Sequence, residues 1–183
     1  MNPLELIDKY CEGQDELKEV LLTHSRQVAD RALRIVDAHP ELGADRDFVE
    51  EAAMLHDIGI VFVDAPRIHC HGTHKYIEHG YLGAELLRKE GLPRHAGVAE
   101  RHTGSGITLE QVLREDLPLP PQDYCPRTIE EEIVCYADKF YSKTHLGEES
   151  SWEKVRTSIW MYGSDSVQRF DKCQVRFEPD LLK

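Results

Sequence analysis

The sequence His56-Asp57-Ile58-Gly59 places two side chains that can bind a metal next to each other, directly after the apolar stretch Ala52-Ala53-Met54-Leu55. We expect both residues to be buried, and a buried carboxylate is costly unless it is paired or bound to a metal. Adjacent helical side chains point about 100° apart, because a helix has ~3.6 residues per turn. A metal shared by His56 and Asp57 is therefore easiest to bind where a helix ends, and we interpret Gly59 as the C-cap.

Two further ionisable residues, His24 and Asp138, fall on apolar helix faces. Around His24, apolar residues recur at spacings of three, four and seven, which is typical of one face of a helix. These residues are Leu17, Val20, Leu21, Val28, Ala32 and Ile35. Asp138 has apolar neighbours at Val134, Ala137 and Tyr141. A single buried histidine is commonly a hydrogen-bonded core residue, but the joint pattern of His, adjacent His-Asp and distant Asp indicates a metal site.

This pattern resembles the HD superfamily of metal-dependent phosphohydrolases, and residues 56–59 resemble its HDIG variant. The resemblance extends over most of the chain, from about His24 to Asp138. It implies that His24, His56, Asp57 and Asp138 hold one metal ion.

Some branches of the superfamily insert two more histidines, which lets the Asp of the pair bridge a second ion. His79 and His102 are similar in placement, so the resemblance implies a two-metal site. Relatives specific for cyclic dinucleotides have two consecutive histidines where this chain has Arg101-His102, and a Gly-Tyr-Pro signature that this chain lacks. These two departures argue against hydrolysis of cyclic-di-GMP.

Imidazole and carboxylate ligands together favour a first-row transition metal over Mg²⁺. We expect two ions of Fe or Mn, while Zn, Mg, Ni and Co stay open. Such ions can polarise a substrate oxygen and activate water, which suits cleavage of a phosphoester, and Asp57 is the expected shared ligand. Arg101 and Lys139 directly adjoin His102 and Asp138, and they are candidate cations for the phosphoryl oxygens.

Histidines are concentrated between the His-Asp pair and His79, at His69, His71 and His74. Three interpretations stay open for this segment: a separate metal site, a loop over the active site, and a polar surface. A long connection that contains Pro66 and Gly72 favours the loop. His74 is then a candidate general acid, because an unperturbed histidine titrates near ~6.5.

Length and composition limit the class of protein. The 183 residues suffice for one domain with its own core. We expect a single domain over 1–183, with a metal-site core at about 15–145 and residues 151–183 packed on its outside. The net charge of −12 argues against a nucleic-acid polymer as partner. Bound metals would still attract a small anionic, phosphate-containing substrate.

The sequence also bears on the compartment. The five cysteines include no CxxC pair, so they indicate neither a disulfide framework nor a redox motif. The N-terminus has no basic start followed by an apolar run, and no stretch of ~18 apolar residues occurs. We expect a cytoplasmic protein without membrane contact, and its oligomeric state stays open.

The predicted elements are helices throughout. They cover about 4–10, 15–38, 79–90, 93–102, 108–115, 128–145 and 151–162, and one more runs from Asp47 to the His-Asp pair. Asp47 and Glu50 have the spacing of a capping box that opens this helix. No useful length of sequence alternates between apolar and polar residues, so we predict an all-α helical bundle. Trp152, Trp160 and Tyr162 are interpreted as packing residues.

The leading hypothesis is a phosphohydrolase acting on a small phosphate ester or anhydride, with a nucleotide preferred. Two alternatives stay open. One is a di-iron oxygenase, because the resemblance includes relatives that use the same six ligands to activate dioxygen. The other is a non-enzymatic sensor of a metal or a nucleotide. Turnover that depends on dioxygen would separate the oxygenase from the hydrolase.

Overall fold

Helices dominate the computed structural model, which describes residues 2–182. In chain order they are α1 Pro3–Tyr10, α2 Asp15–Ala38, α3 Arg46–Leu55, α4 His79–Lys89, α5 Pro93–Arg101, α6 Leu109–Arg114, α7 Ile129–Asp138, α8 Trp152–Ile159 and α9 Ser164–Phe177. The predicted all-α class is confirmed. Within residues 2–182, the helices are all too short or too polar to cross a membrane.

The core forms around α2, which packs against α3 and α7, while α4 packs against α5. The apolar face of α2 is buried as the spacing predicted, with Leu17, Val20, Leu21, Val28, Ala32 and Ile35 all in the core. Burial of such side chains stabilises the fold by about 25 cal/mol per Å² of apolar surface. His24 lies on the same face, so the core itself fixes its position.

The structure corrects the start of α3. The N-cap is Asp45 and not Asp47, because the Asp45 carboxylate accepts a hydrogen bond of 3.2 Å from the Phe48 backbone N–H. Asp47 instead lies in the first turn of the helix, where its negative charge is favourable near the positive end of the helix dipole.

Gly59 is not the C-cap of α3, which contradicts the sequence interpretation. The helix ends at Leu55, and the chain continues into a 3₁₀ turn over Ile58–Phe62 that buries Gly59. A Cβ atom at Gly59 would lie 2.0 Å from the His79 carbonyl oxygen and 2.4 Å from the Gly83 backbone nitrogen. Glycine is therefore required here because the turn approaches α4 closely, which brings His79 beside the His-Asp pair.

Two short hairpins are present where no strand was expected. β1 Asp64–Ala65 pairs antiparallel with β2 Cys70–His71, and β3 Tyr141–Ser142 pairs antiparallel with β4 His145–Glu149. The helix predicted for 128–145 thus stops at Asp138. These strands are two to five residues long, which is too short for a detectable alternating pattern.

The C-terminal region is more deeply packed than the sequence indicated. Helix α9, which was not predicted, buries Val167, Phe170 and Phe177 in the main core. Trp152 also packs against this core.

The exposed residues between α8 and α9 contradict a further expectation. The structure leaves Trp160 63% and Tyr162 53% exposed, so the predicted packing role is wrong for these two residues. They lie in a 3₁₀ turn, Trp160–Tyr162, at the corner between the two helices.

Candidate metal centre

The structure brings the six candidate ligands together in one buried cluster. His24 lies within α2, His56 and Asp57 directly follow α3, and His79 begins α4. His102 directly follows α5, and Asp138 is the last residue of α7. All six side chains are buried. Five of them lie at helix ends, where the backbone changes direction and neighbouring side chains can converge.

Four of these residues, His24, His56, Asp57 and Asp138, form what we name the four-residue group. His24 Nε2 lies 2.9 Å from Asp138 Oδ1 and 3.1 Å from Asp57 Oδ2. His56 Nε2 lies 3.1 Å from the same Asp57 oxygen and 3.4 Å from Asp138 Oδ1. Two imidazole nitrogens and two carboxylate oxygens thus converge, and such a donor set suits a transition metal.

Asp57, His79 and His102 form the three-residue group. Asp57 Oδ1 lies 3.3 Å from the Nε2 atoms of both histidines, while Oδ2 faces the four-residue group. Asp57 therefore presents one oxygen to each group, which is the arrangement of a bridging carboxylate.

Backbone hydrogen bonds set the protonation of three of the histidines. The Nδ1 atoms of His56, His79 and His102 each lie 2.6–2.7 Å from the carbonyl oxygen of the residue three positions earlier. A carbonyl can only accept, so each Nδ1 carries the proton. Each Nε2 then faces the cluster, as in metal-binding histidines that a second hydrogen bond orients.

Several atoms of the cluster lack a suitable partner. His79 Nε2 and His102 Nε2 lie 3.0 Å apart, and two facing lone pairs at this distance repel unless a cation lies between them. His56 Nε2 and Asp57 Oδ1 are buried without a hydrogen bond of normal geometry. Because buried polar groups nearly always have a partner, these residues fit a metal ion.

Burial and neighbouring charges shift the pKa values of the cluster residues. Burial alone would raise the pKa of Asp57, but the Lys143 ammonium and His56 outweigh it and hold this pKa well below its ordinary value. Burial lowers the pKa of His102 to about 3, which keeps its imidazole neutral and able to bind a metal. The pKa of His56 instead rises to about 9, because the Asp57 and Asp138 carboxylates outweigh the effect of burial.

Two lysines contact the carboxylates of the cluster. Lys139 Nζ lies 2.6 Å from Asp138 Oδ2 and donates to the His102 carbonyl oxygen at 3.0 Å, so this predicted cation does reach the cluster. Lys143 Nζ lies 2.6 Å from Asp57 Oδ2. No sequence pattern pointed to Lys143, because its position depends on the turn between β3 and β4, which was predicted to be helix.

A cavity of about 440 Å³, which we name the cluster cavity, opens above the three-residue group. His79, His102 and Asp138 contribute to its walls. Its cations are Arg67, Lys139 and Lys143, and its tyrosines are Tyr76, Tyr141 and Tyr162. The Arg67 side chain is exposed and has neither a hydrogen bond nor an ion pair within residues 2–182. It is therefore available to an anionic ligand.

The structure does not bring Arg101 to the cluster. Its guanidinium lies 2.6 Å from Glu131 Oε1 and 3.4 Å from Glu100 Oε2, so these carboxylates compensate its charge. Its neighbour His102 faces the cluster, and consecutive positions near a helix end do not share a face. The guanidinium that was predicted to contact phosphate thus pairs with carboxylates in this structure.

The histidine-rich segment borders the cluster cavity, but not through its histidines. His74, the predicted general acid, is exposed and its Nδ1 lies 3.1 Å from Glu78 Oε1, so the structure does not bring it to the cluster. His69 Nδ1 lies 3.3 Å from Glu16 Oε2, and His71 is exposed on β2. The segment contributes Arg67 to the cavity wall instead.

A helical bundle with this order of His, adjacent His-Asp and distant Asp defines a class of metal-binding helical domain. Comparison with protein families agrees with this class. Residues 21–142 match the family model of the HD domain, and the chain belongs to this family.

The curated relatives leave the activity open. An uncharacterized protein of Methanocaldococcus jannaschii is 41% identical over 136 residues, which is 74% of this chain and 70% of that protein. Two proteins named tRNA (cytidine(56)-2′-O)-methyltransferase are also similar. The one from Picrophilus torridus is 38% identical over 70% of this chain, and the one from Thermoplasma volcanium is 35% identical over 76%. This chain spans 33% and 35% of their lengths.

Among solved structures, the HD domain of the phosphodiesterase PgpH from L. monocytogenes is similar, with a TM-score of 0.51 at 16% identity. The match covers 90% of this chain and 94% of that domain. At this identity the likeness shows the shared fold.

Proposed function

We propose that this protein is a metal-dependent phosphohydrolase that cleaves a small phosphate ester or anhydride, with nucleotides as the preferred substrate class. The observation that carries the proposal is the position of the three-residue group. Its two histidines form part of the wall of a cavity in which three cations lie beside the candidate metal ligands. Phosphoryl transfer needs this combination, since negative charge grows on the phosphoryl oxygens.

The cluster residues would hold two divalent ions, and Asp57 belongs to both groups of candidate ligands. Bound there, the ions would polarise a phosphoryl oxygen and lower the pKa of water. The chain itself fixes the donors, because the carbonyl groups behind His56, His79 and His102 orient the imidazole rings. Lys139 and Lys143 stabilise charge close to the cluster, and Arg67 binds phosphate at the rim of the cavity.

The lining of the cluster cavity supports a small nucleotide. The Tyr76 ring stacks on His79 with centroids 4.7 Å apart, and both Tyr76 and Tyr162 are partly exposed at the cavity. Aromatic faces of this kind can stack on a base, and they accept any base. With a net charge of −12, the chain is a poor partner for the backbone of a nucleic-acid polymer.

The names of the two methyltransferase relatives do not indicate that this chain transfers methyl groups. The matches cover 33% and 35% of those proteins, so most of each protein lies outside the region that this chain shares with it. The buried histidine and carboxylate cluster instead favours a metal-dependent reaction.

The test is phosphate release under anaerobic conditions by protein loaded with Mn²⁺, assayed against nucleoside mono-, di- and triphosphates. We expect release from at least one class without dioxygen. Turnover that requires dioxygen would show that the protein is an oxygenase and not a hydrolase. No turnover of any phosphate compound by fully loaded protein would favour a sensor.

Arg67 provides a sharper test of the cavity. Arg67→Gln should raise KM about tenfold with little change in kcat, because a cation at the rim binds ground state and transition state alike. Arg114→Gln is the matched control, since Arg114 is an exposed arginine on α6 outside the cavity. An unchanged KM in Arg67→Gln would show that Arg67 does not bind the substrate.

A further inference from the structure

A second cavity, of about 280 Å³, lies between α7 and α9 and has no part in the proposed reaction. We name it the α7–α9 cavity. Four cations line it, Lys139, Arg169, Lys172 and Arg176, together with the single carboxylate of Glu132. This basic lining is unusual for a chain that contains 34 acidic and 22 basic residues.

Two of these cations have no counter-charge among residues 2–182. Arg176 is paired with Glu132 at 2.5 Å, but Arg169 donates only to uncharged groups, including the Ser105 and Gly106 carbonyl oxygens at 2.8 and 2.9 Å. Lys172 is exposed and has no ion pair within residues 2–182. An anion that entered the cavity would therefore meet uncompensated positive charge.

The inner surface of the cavity is apolar. Tyr136 and Phe170 contribute aromatic surface, and Cys135 and Cys173 contribute thiols. Burial raises the pKa of each of these two thiols to about 12, so both are neutral. Neutral buried thiols behave as small apolar groups and not as nucleophiles or metal ligands.

We propose that the α7–α9 cavity is a binding site for a small organic anion that has an apolar body and one acidic group. The body would contact Tyr136, Phe170 and the thiols, and the acidic group would lie between Arg169 and Lys172. The volume is near the lower limit of ligand cavities, which begins at roughly 300 Å³, so the ligand is small. Lys139 lines this cavity and the cluster cavity, so occupants of the two sites would share one cation.

The experiment is a fluorescence titration of the metal-loaded 183-residue chain with 8-anilinonaphthalene-1-sulfonate, an aromatic anion that is brighter in apolar surroundings. We expect saturable binding with one site per chain. Lys172→Glu should weaken binding about fivefold or more, because it replaces attraction by repulsion at an exposed position. Cys173→Phe should abolish binding by filling the cavity. Lys154→Glu, the same charge change on the exposed side of α8, should leave the dissociation constant within about twofold.

Three results would overturn the proposal. The first is no saturable binding to wild type. The second is wild-type affinity in both Lys172→Glu and Cys173→Phe, each shown to be folded by circular dichroism. The third is loss of binding in Trp160→Ser, because this result would place the probe on the exposed turn between α8 and α9. The titration does not depend on hydrolysis, so it can fail while the proposed function stands.

Discussion

The two groups of the cluster differ in charge and in access. The four-residue group combines two carboxylates with two histidines, and His24 and His56 are fully buried. The three-residue group has a single carboxylate, shared through Asp57, and its two histidines line the cluster cavity. A divalent ion is attracted more strongly by two carboxylates than by one. The four-residue group should therefore bind its ion more tightly, whereas the three-residue group faces the substrate.

The largest effect is expected where the two groups meet. Asp57→Asn removes the charge that both groups share while keeping the size of the side chain. It should reduce hydrolysis by at least about 10³-fold, since the amide carries no negative charge and offers one oxygen donor in place of two. Metal analysis and phosphate release check this, with the exposed Asp30→Asn as control. Near-normal activity would mean that Asp57 does not link the groups.

The contact between the 3₁₀ turn and α4 holds the two groups together, so Gly59→Ala should be the next largest change. The added Cβ would meet the His79 carbonyl oxygen at 2.0 Å, and overpacking of this kind costs about 3 kcal/mol. Urea unfolding measures the loss. The control is Gly147→Ala, where φ is +83° and no atom lies within 4 Å. It should cost about 1 kcal/mol through backbone strain alone. Equal losses in both variants would contradict the role of the close approach.

Lys143→Met tests whether the ammonium beside Asp57 acts on the substrate. Metal content should stay at the wild-type level, while kcat should fall about 10–100-fold through loss of charge stabilisation. Lys154→Met serves as the control. Unchanged kcat would show that Lys143 only balances the charge of the carboxylates.

The smallest effect on activity is expected at Arg101. Arg101→Gln leaves the buried Glu131 without its cation, so stability should fall by about 2 kcal/mol. Activity should change less than about threefold, because the guanidinium faces away from the cluster. A 100-fold loss of kcat in folded protein would show that Arg101 does act at the substrate site.

The sequence was most informative where helical periodicity or adjacency carries the signal. The face of α2 located His24 in the core, and the apolar run before His56 indicated burial of the His-Asp pair. Positions that depend on the turn of a short hairpin could not be predicted. Lys143 reaches Asp57 only because the chain leaves α7 at Asp138 and enters β3.

Residue type alone was a poor guide to position elsewhere in the chain. Arg101 adjoins His102 in sequence, yet the two side chains point in different directions. His74 lies in a segment that borders the cavity, yet it pairs with Glu78 outside it. Arg67, on the same segment, was not singled out, because nothing local distinguishes a free surface arginine from one at a cavity rim.

The most direct test of the account is the metal content per chain, measured by mass spectrometry on anaerobically purified wild type, His24→Ala and His79→Ala. The account predicts close to two ions in wild type and about one in His79→Ala, which keeps the four-residue group intact. His24→Ala should lose the more tightly bound ion. About one ion in both wild type and His79→Ala would contradict the two-ion centre and reassign His79 and His102 to the substrate.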